Sequence, residues 1–155
     1  MSPEQAAAMY AEFKDIYAKY PQEFGYDNQA PTSPALYDAW IFLELMLQKL
    51  PFLSEFVGEQ VFPTYCYARH YKNGATLVKH TDRPACEVSI SAHLGGDADW
   101  KLFFEKPNGE EVGLNLKPGQ AAVYLGCVTN HWREGGYQGQ EYGRSEEHTS
   151  ELQSH

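Results

Sequence analysis

Two histidines and one aspartate form the most informative pattern in the chain. His80 and Asp82 stand at positions i and i+2, so at the end of an extended strand their side chains project to the same side and can bind one ion together. His131, 51 residues after His80, could supply a third ligand from another strand. Two imidazoles and one carboxylate on one face of an octahedron leave three positions open, which is the non-haem Fe(II) arrangement for oxygen activation. A structural zinc site would instead close its shell, usually with cysteines.

The elements that must position these residues change character near residue 61. Ser2-Pro3-Glu4-Gln5 is a capping-box pattern that begins a first helix, which Pro21 ends. Ser33-Pro34 begins a second helix, whose apolar stripe from Leu36 to Leu50 is ended by Pro51. Short segments rich in Tyr, Val, Ile and Phe then alternate with turn residues and predict strands at 64–71, 76–81, 86–94, 100–105, 111–116 and 121–126. The pattern favours an α+β fold, mainly β, with a sandwich or barrel and two helices packed on one face.

Two flanking runs resemble one protein family. Residues 68–84, ARHYKNGATLVKHTDRP, resemble the R-Y-x-x-G-x-x-L-x-x-H-x-D stretch of 2-oxoglutarate and Fe(II) dioxygenases related to prolyl 4-hydroxylase, apart from His70 between the Arg and the Tyr. Residues 116–124, LKPGQAAVY, and 130–134, NHWRE, resemble that family's K-P-G turn, next strand and distal histidine. The resemblance covers residues 61–142 and points to short, stand-alone members from phage and environmental sequences.

The resemblance implies a double-stranded β-helix, or jelly roll, in which His80, Asp82 and His131 hold Fe(II) at the mouth of the barrel. It also implies 2-oxoglutarate as co-substrate, O2 as oxidant, ascorbate as an accessory reductant, and succinate and CO2 as products. Asp82 stands where halogenating relatives have a small residue, so hydroxylation is favoured. A peptidyl proline is suggested by analogy alone, and other amino-acid residues and small molecules stay open as substrates.

The distal carboxylate of 2-oxoglutarate needs a cation in a dry pocket, because an unpaired buried carboxylate is costly. Many members of the family place an Arg or Lys nine or ten residues after the distal histidine, where this chain has Gln140 and Glu141. Arg133 is the first candidate for that cation and Lys101 the second. Tyr71 stands where the family uses a tyrosine to hydrogen-bond the co-substrate, although a half-buried strand tyrosine is an equal alternative.

The last twelve residues differ from the rest. Residues 144–155, RSEEHTSELQSH, have neither strand alternation nor a helical stripe, and they resemble the conceptual translation of a widely used sequencing adapter fused in frame. We therefore expect one dioxygenase domain over 1–143, with helical support in 1–60 and a β core in 61–143, a non-native tail at 144–155, and a barrel that lacks its last strand. A natural acidic tail is the alternative. On the first interpretation His148 and His155 are not metal ligands.

Composition limits the remaining functions. A chain of 155 residues with net charge −9 and no basic stripe is unsuited to nucleic-acid binding. Its three separated cysteines predict buried thiols in a reducing compartment, and the lack of a leader or membrane-length apolar run predicts the cytoplasm. The sequence does not indicate an oligomeric state. Arg83 could form a surface ion pair or bind substrate.

Two hypotheses follow: an active oxygenase, or a degenerate or truncated barrel that binds metal or a small carboxylate, or serves as an interaction module, without turnover.

Overall fold

The first helix follows its predicted start. The computed structural model describes residues 1–151, and α1 spans Pro3–Lys19. The Ser2 hydroxyl accepts the Gln5 N–H at 3.2 Å while the Gln5 side chain accepts the Ser2 N–H at 2.9 Å, so the capping box is confirmed. A short 3-10 helix, Pro21–Glu23, follows directly. Tyr10 and Phe13 form part of the buried face of α1.

The second helix differs from its predicted bounds. It spans Trp40–Val57 (α2), and the preceding Leu36 belongs instead to a short strand, β1, Ala35–Tyr37. Pro51 lies inside α2 and does not end it, because the turns on both sides pack into one apolar cluster in which Leu53 is fully buried. That packing outweighs the loss of one helical hydrogen bond. The helix ends at Gly58, whose φ of +82° suits a left-handed cap.

The β half forms two antiparallel sheets. The strands after β1 are β2 Val61–Lys72, β3 Leu77–His80, β4 Val88–Gly96, β5 Leu102–Glu105, β6 Glu111–Leu114, β7 Ala121–Tyr124, β8 His131–Arg133 and β9 Glu141–Glu151. One sheet has the order β1-β2-β9-β4-β7 and the other β3-β8-β5-β6. This strand order is of the jelly-roll type. Six of these strands overlap the predicted ones, whereas β1, β8 and β9 were not predicted.

The last strand corrects the prediction for the C-terminal segment. β9 lies between β2 and β4, pairing Arg69 with Arg144 on one side and His93 with Arg144 on the other. The expectation that the barrel lacks its last strand, and that residues 144–151 lie outside the fold, is wrong for this structure. The physical reason is that β2 and β4 both offer backbone groups, which any extended segment can pair with whatever its side chains. Residues 152–155 lie outside the described residues, and the suggested origin of the segment stays a prediction.

The helices cover one face of the five-stranded sheet. Tyr10 and Phe13 of α1, Phe42 and Met46 of α2, and Leu94 of β4 pack into one buried cluster there. The opposite face of that sheet looks into the barrel, where a second buried cluster contains Tyr71, Leu77, Trp100, Leu102, Tyr137 and Tyr142. The prediction of two helices on one face of a mainly antiparallel β fold is therefore confirmed.

Two further properties concern compartment and membrane. Cys66, Cys86 and Cys127 are free thiols, and the first two are buried as predicted. Within residues 1–151, neither helix is both long and apolar enough to cross a membrane.

Candidate metal centre

The three predicted ligands meet at one end of the four-stranded sheet. His80 is the last residue of β3, Asp82 follows two residues later, and His131 begins β8. β3 and β8 pair so that His80 lies opposite His131, and the two ring centroids are 4.2 Å apart. The Asp82 N–H donates to the carbonyl of Gly126 at 2.9 Å, which holds the turn after β3 against the end of β7. Strand pairing therefore brings together residues that are 51 positions apart.

The backbone fixes the orientation of both imidazoles. Nδ1 of His80 lies 2.7 Å from the carbonyl of Val78, and Nδ1 of His131 lies 3.0 Å from the carbonyl of Thr129. Because a carbonyl only accepts, each Nδ1 carries the proton and each Nε2 presents its lone pair. This arrangement, with the outer nitrogen tied to a backbone oxygen, is typical of metal-ligating histidines. Both Nε2 atoms face Asp82.

The donor atoms are close enough to share one ion. Oδ1 of Asp82 lies 3.8 Å from Nε2 of His80 and 3.6 Å from Nε2 of His131. Neighbouring ligands of an octahedral ion, each about 2.1 Å from it, stand about 3 Å apart, so a small inward movement completes the site. Nε2 of His80 is buried and has no hydrogen-bond partner among the described residues. Two imidazoles and one carboxylate therefore fit a divalent transition metal.

Burial shifts the protonation of these groups. Desolvation lowers the pKa of His80 and of His131, so both rings are neutral near pH 7 and available as ligands. Desolvation, together with the charge of Glu146, raises the pKa of Asp82 to about 6. A bound cation would favour the ionised form of Asp82 and could be coordinated by the two neutral imidazoles.

Solved structures share this architecture. The chain superposes on a prolyl-4-hydroxylase from Pseudomonas putida with a TM-score of 0.77, 18% identity, and coverage of 99% of this chain and 89% of that one. A 2OG-Fe(II) oxygenase family oxidoreductase from Burkholderia pseudomallei superposes with a TM-score of 0.72 and 16% identity, over 93% of this chain and 79% of that one. HygX from Streptomyces hygroscopicus, solved with nickel and 2-oxoglutarate bound, superposes with a TM-score of 0.76 and 9% identity, over 98% of this chain and 80% of that one. The chain has the fold of the prolyl-4-hydroxylase-like 2-oxoglutarate and Fe(II) oxygenases. No family model and no curated protein sequence matches it.

Two residues that the sequence did not single out position the carboxylate in this oxygenase fold. The Ser89 hydroxyl donates to Oδ2 of Asp82 at 3.1 Å from the neighbouring strand β4. A side chain at Gly126 would collide with Ser89 Oγ and with Asp82 Oδ2, so only glycine leaves room for the carboxylate. Sequence signals for both were weak: a serine in a strand and a glycine just after one.

The first predicted co-substrate anchor lies inside the barrel of the oxygenase fold. Arg133 is buried and shares a face of β8 with His131, two residues before it. Its guanidinium lies between the rings of Trp100, at 4.8 Å, and Tyr142, at 4.5 Å. One Nη donates to the carbonyl of Trp100 and the other to the Tyr142 hydroxyl, so Nε is its unpartnered donor among the described residues.

Tyr71 lies in the same interior cluster. It is fully buried and packs edge-on against Trp100 at 5.0 Å, and its hydroxyl has no hydrogen-bond partner among the described residues. A buried hydroxyl without a partner is costly, so the group suits a ligand that the described chain does not supply. Arg133 and Tyr71 both border Trp100 and Tyr142 and are therefore near each other, as their predicted roles require.

The structure does not bring Lys101 to the site. Its side chain is exposed, whereas the next residue, Leu102, is fully buried in the barrel. Alternation along β5 therefore points Lys101 outward. Glu141 likewise lies away from the interior and pairs with Lys14 of α1 at 2.5 Å.

Strand β9 adds charged groups to the barrel interior that the sequence analysis had set aside. Arg144 is buried, donates to the Tyr67 hydroxyl at 2.6 Å and pairs with Glu146 at 2.8 Å. The Tyr124 hydroxyl donates to Glu146 at 3.1 Å and lies 3.4 Å from Nε2 of His131. The Tyr124 hydroxyl thus lies between the carboxylate of Glu146 and His131, one of the candidate metal ligands.

His148 approaches the same aspartate. Ligand atoms of Asp82, Cys86 and His148 lie within 4.8 Å of one another and form a second possible ion-binding group. It shares Asp82 with the first group. The structure thus brings His148 near Asp82, whereas its exclusion as a metal ligand stays a prediction, and His155 lies outside the described residues.

Proposed function

We propose that the protein is an Fe(II)- and 2-oxoglutarate-dependent dioxygenase that hydroxylates a C–H bond of an amino-acid residue or small molecule on a double-stranded β-helix. With iron and co-substrate bound, O2 is consumed, 2-oxoglutarate is converted to succinate and CO2, and one oxygen atom enters the substrate while the other enters succinate. Ascorbate belongs to the proposal as the reductant that keeps iron ferrous.

The observation that carries the proposal is the convergence of His80 Nε2, Asp82 Oδ1 and His131 Nε2. Three ligands on one side of an ion leave the opposite positions open for a chelating co-substrate and oxygen. The backbone carbonyls on both Nδ1 atoms and the serine on Asp82 hold these ligands in place before any ion arrives. Solved proteins of the same fold include a prolyl-4-hydroxylase and HygX, which was solved with nickel and 2-oxoglutarate bound.

The barrel interior supplies the co-substrate contacts in this proposal. Nε of Arg133 and the hydroxyl of Tyr71 are buried donors in one cluster, and within residues 1–151 neither has a hydrogen-bond partner. A guanidinium and a hydroxyl suit the distal carboxylate of 2-oxoglutarate, which takes charge-assisted hydrogen bonds in a dry environment. Arg133 stays the proposed anchor, with Tyr71 as its partner.

Iron binding and turnover can be tested separately. Anaerobic calorimetric titration with Fe(II) should give one site in the unaltered protein and at least a hundredfold weaker binding in Asp82→Ala, because the carboxylate is one of three ligands. Asp99→Ala, which removes an exposed carboxylate paired with Lys117, is the matched control and should bind iron normally. Succinate should then form from 2-oxoglutarate with Fe(II), ascorbate and O2 in the unaltered protein and in the control alone. Equal iron affinity in Asp82→Ala would overturn the proposed centre.

The arrangement of Glu146 favours a second candidate, a barrel that binds metal without turnover. Its carboxylate is paired with Arg144 and reaches toward His131 through Tyr124, so an internal anion lies beside the candidate centre. Such an anion competes with a co-substrate carboxylate for the same interior. Iron binding without any succinate release, together with succinate release from Glu146→Ala, would establish this candidate. Succinate release from the unaltered chain would exclude it.

A further inference from the structure

A small cleft borders the turn that carries Asp82. It has a volume of about 280 Å³, and Asp82 forms part of its lining. Tyr37, Tyr65 and Tyr67 form one wall, with ring centroids 5.4 Å apart between Tyr37 and Tyr67 and 5.8 Å apart between Tyr37 and Tyr65. The cleft therefore joins an aromatic surface to the carboxylate that faces the candidate metal.

Arg83 supplies a cation at the edge of this wall. Its guanidinium lies 4.7 Å from the centre of the Tyr65 ring and 5.9 Å from that of Tyr37, and its side chain is exposed. Stacking on an aromatic face holds a guanidinium in a fixed orientation while its N–H groups stay available. In residues 1–151, no Asp or Glu lies within ion-pair distance of it, so the surface ion pair considered from the sequence does not form there.

The other charged groups of the cleft already have partners. The carboxylate of Asp27 pairs with Arg69 and accepts the backbone N–H groups of Gln29, at 3.0 Å, and Ala30, at 3.1 Å. One oxygen of Asp82 accepts the Ser89 hydroxyl and the other faces the histidines. Arg83 is the one cation among the residues that line the cleft, and it lacks an ionic partner in the described part of the chain. The cleft thus offers one positive charge to a ligand.

On the basis of the proposed function, we infer that the substrate is a small aliphatic carboxylate of amino-acid size. The geometry places its carboxylate on the Arg83 guanidinium and its C–H-bearing body against the tyrosine wall, beside Asp82. A volume of about 280 Å³ lies at the lower end of ligand pockets, which run from about 300 to 1,000 Å³. Such a volume accommodates a free amino or imino acid and excludes a long peptide segment from full enclosure.

Binding of matched acids and amides tests the inference without turnover. Calorimetry on the full chain would use free aliphatic amino and imino acids, including L-proline and L-valine, and the corresponding primary amides. The acids should bind at least tenfold more tightly than the amides, since only the acid carries a negative charge that forms an ion pair with the Arg83 guanidinium. Arg83→Gln should lower acid affinity about tenfold and leave amide affinity unchanged. Arg83→Lys should retain part of the acid preference, because it keeps the charge and loses the planar stack.

A second exposed cation provides the control. Lys19→Gln removes an equal charge at the end of α1 and should leave both affinities unchanged. Acids and amides that bind equally, an Arg83→Gln protein that loses both equally, or the absence of binding by every probe would each overturn the inference.

Turnover separates this inference from the proposed function. If acids bind through Arg83 but no Fe(II)-dependent succinate forms with any of them, the oxygenase proposal fails and the carboxylate site stands. If succinate forms but acids and amides stimulate it equally, the oxygenase stands and the assignment of the substrate carboxylate to Arg83 fails.

Discussion

Glu147 provides the sharpest test of how the C-terminal strand is placed. It points from β9 toward the helices, is 1% exposed, and lies opposite Cys66 on β2 and Ile90 on β4. One of its carboxylate oxygens has no hydrogen-bond partner among the described residues. Desolvation, reinforced by the charge of Glu146, raises the pKa of Glu147 from 4.5 to about 8, against a smaller opposing effect of Lys49. A carboxylate in this position is neutral in the folded protein at pH 7 and ionised in the unfolded chain.

The sign and size of the effect follow from that difference in pKa. Between the unfolded pKa of 4.5 and the folded value of about 8, the folded state holds a proton that the unfolded state has lost, so the free energy of unfolding decreases as pH rises. Each pH unit in that interval corresponds to about 1.4 kcal/mol. From pH 6.5 to pH 8 the loss amounts to about 2 kcal/mol. His148, whose pKa burial lowers to about 4, and the other buried histidines with lowered pKa values add stability as pH rises through 6.5, so the effect of Glu147 is measured as the difference from a variant that cannot ionise at this position.

Urea unfolding of the metal-free protein between pH 6.5 and 8 measures this loss. Across the window the unaltered chain should lose about 2 kcal/mol of stability relative to Glu147→Gln, which cannot ionise at this position and so shows the contribution of the other groups alone. Glu87→Gln, which replaces a half-buried glutamate near the start of β4, should keep the slope of the unaltered chain. Identical slopes in the unaltered chain and Glu147→Gln would place Glu147 in water, and residues 144–151 would then lie outside the sheet, as the sequence alone suggested.

Three further perturbations test the centre. Gly126→Ala should lower Fe(II) affinity about tenfold or more in a calorimetric titration, because its Cβ displaces the Asp82 carboxylate; unchanged affinity would remove Gly126 from the site. Arg133→Gln should raise the 2-oxoglutarate concentration for half-maximal succinate release at least tenfold while Lys101→Gln leaves it unchanged, and the reverse order would restore Lys101 as the anchor. Fe(II) affinity should fall about tenfold per pH unit below pH 6, where Asp82 is protonated in the metal-free protein, and a flat profile down to pH 5 would contradict its role as a ligand.

The sequence predicted those elements whose local signals agree with their packing. The capping box at Ser2 satisfies backbone groups within one turn, so α1 begins where the pattern indicates. Pro51 was misleading because its effect depends on what the following turn buries, and Leu53 buries its whole side chain. Leu36 fits a helical stripe equally well, yet its backbone pairs with Ala68 of β2. Contacts between residues far apart in the sequence determined the secondary structure at both positions, and a short stretch of sequence does not contain that information.

Strand β9 could not be predicted from side-chain patterns. Both of its faces carry buried polar groups, Arg144, Glu146 and His148 toward the barrel and Ser145 and Glu147 toward the helices, so the alternation that marks a half-buried strand is absent. Its pairing with β2 and β4 rests on backbone hydrogen bonds along its length. Six of its buried side-chain atoms lack hydrogen-bond partners in the described structure, although ion pairing with Glu146 involves some of them, and backbone pairing has to offset this cost.

The candidate metal centre was accessible from the sequence because two of its ligands are two residues apart and the runs around all three resemble one family. Their orientation was not accessible, since it depends on the carbonyls of Val78 and Thr129 and on Ser89 from another strand. Spacing thus predicts which side chains can share an ion, while the hydrogen bonds that hold them become visible only in three dimensions.

Iron binding and 2-oxoglutarate binding, the two requirements of the proposed activity, depend on different parts of the barrel. His80 and His131 are placed by the pairing of β3 with β8, in a sheet to which β9 does not belong. The co-substrate interior, by contrast, borders β9 through Tyr142, Arg144 and Glu146. Substitutions along β9 should therefore change 2-oxoglutarate binding much more than iron binding. Any loss of iron that does follow should come through Ser89, which donates to Asp82 from a strand paired with β9, or through Tyr124, which links Glu146 to His131.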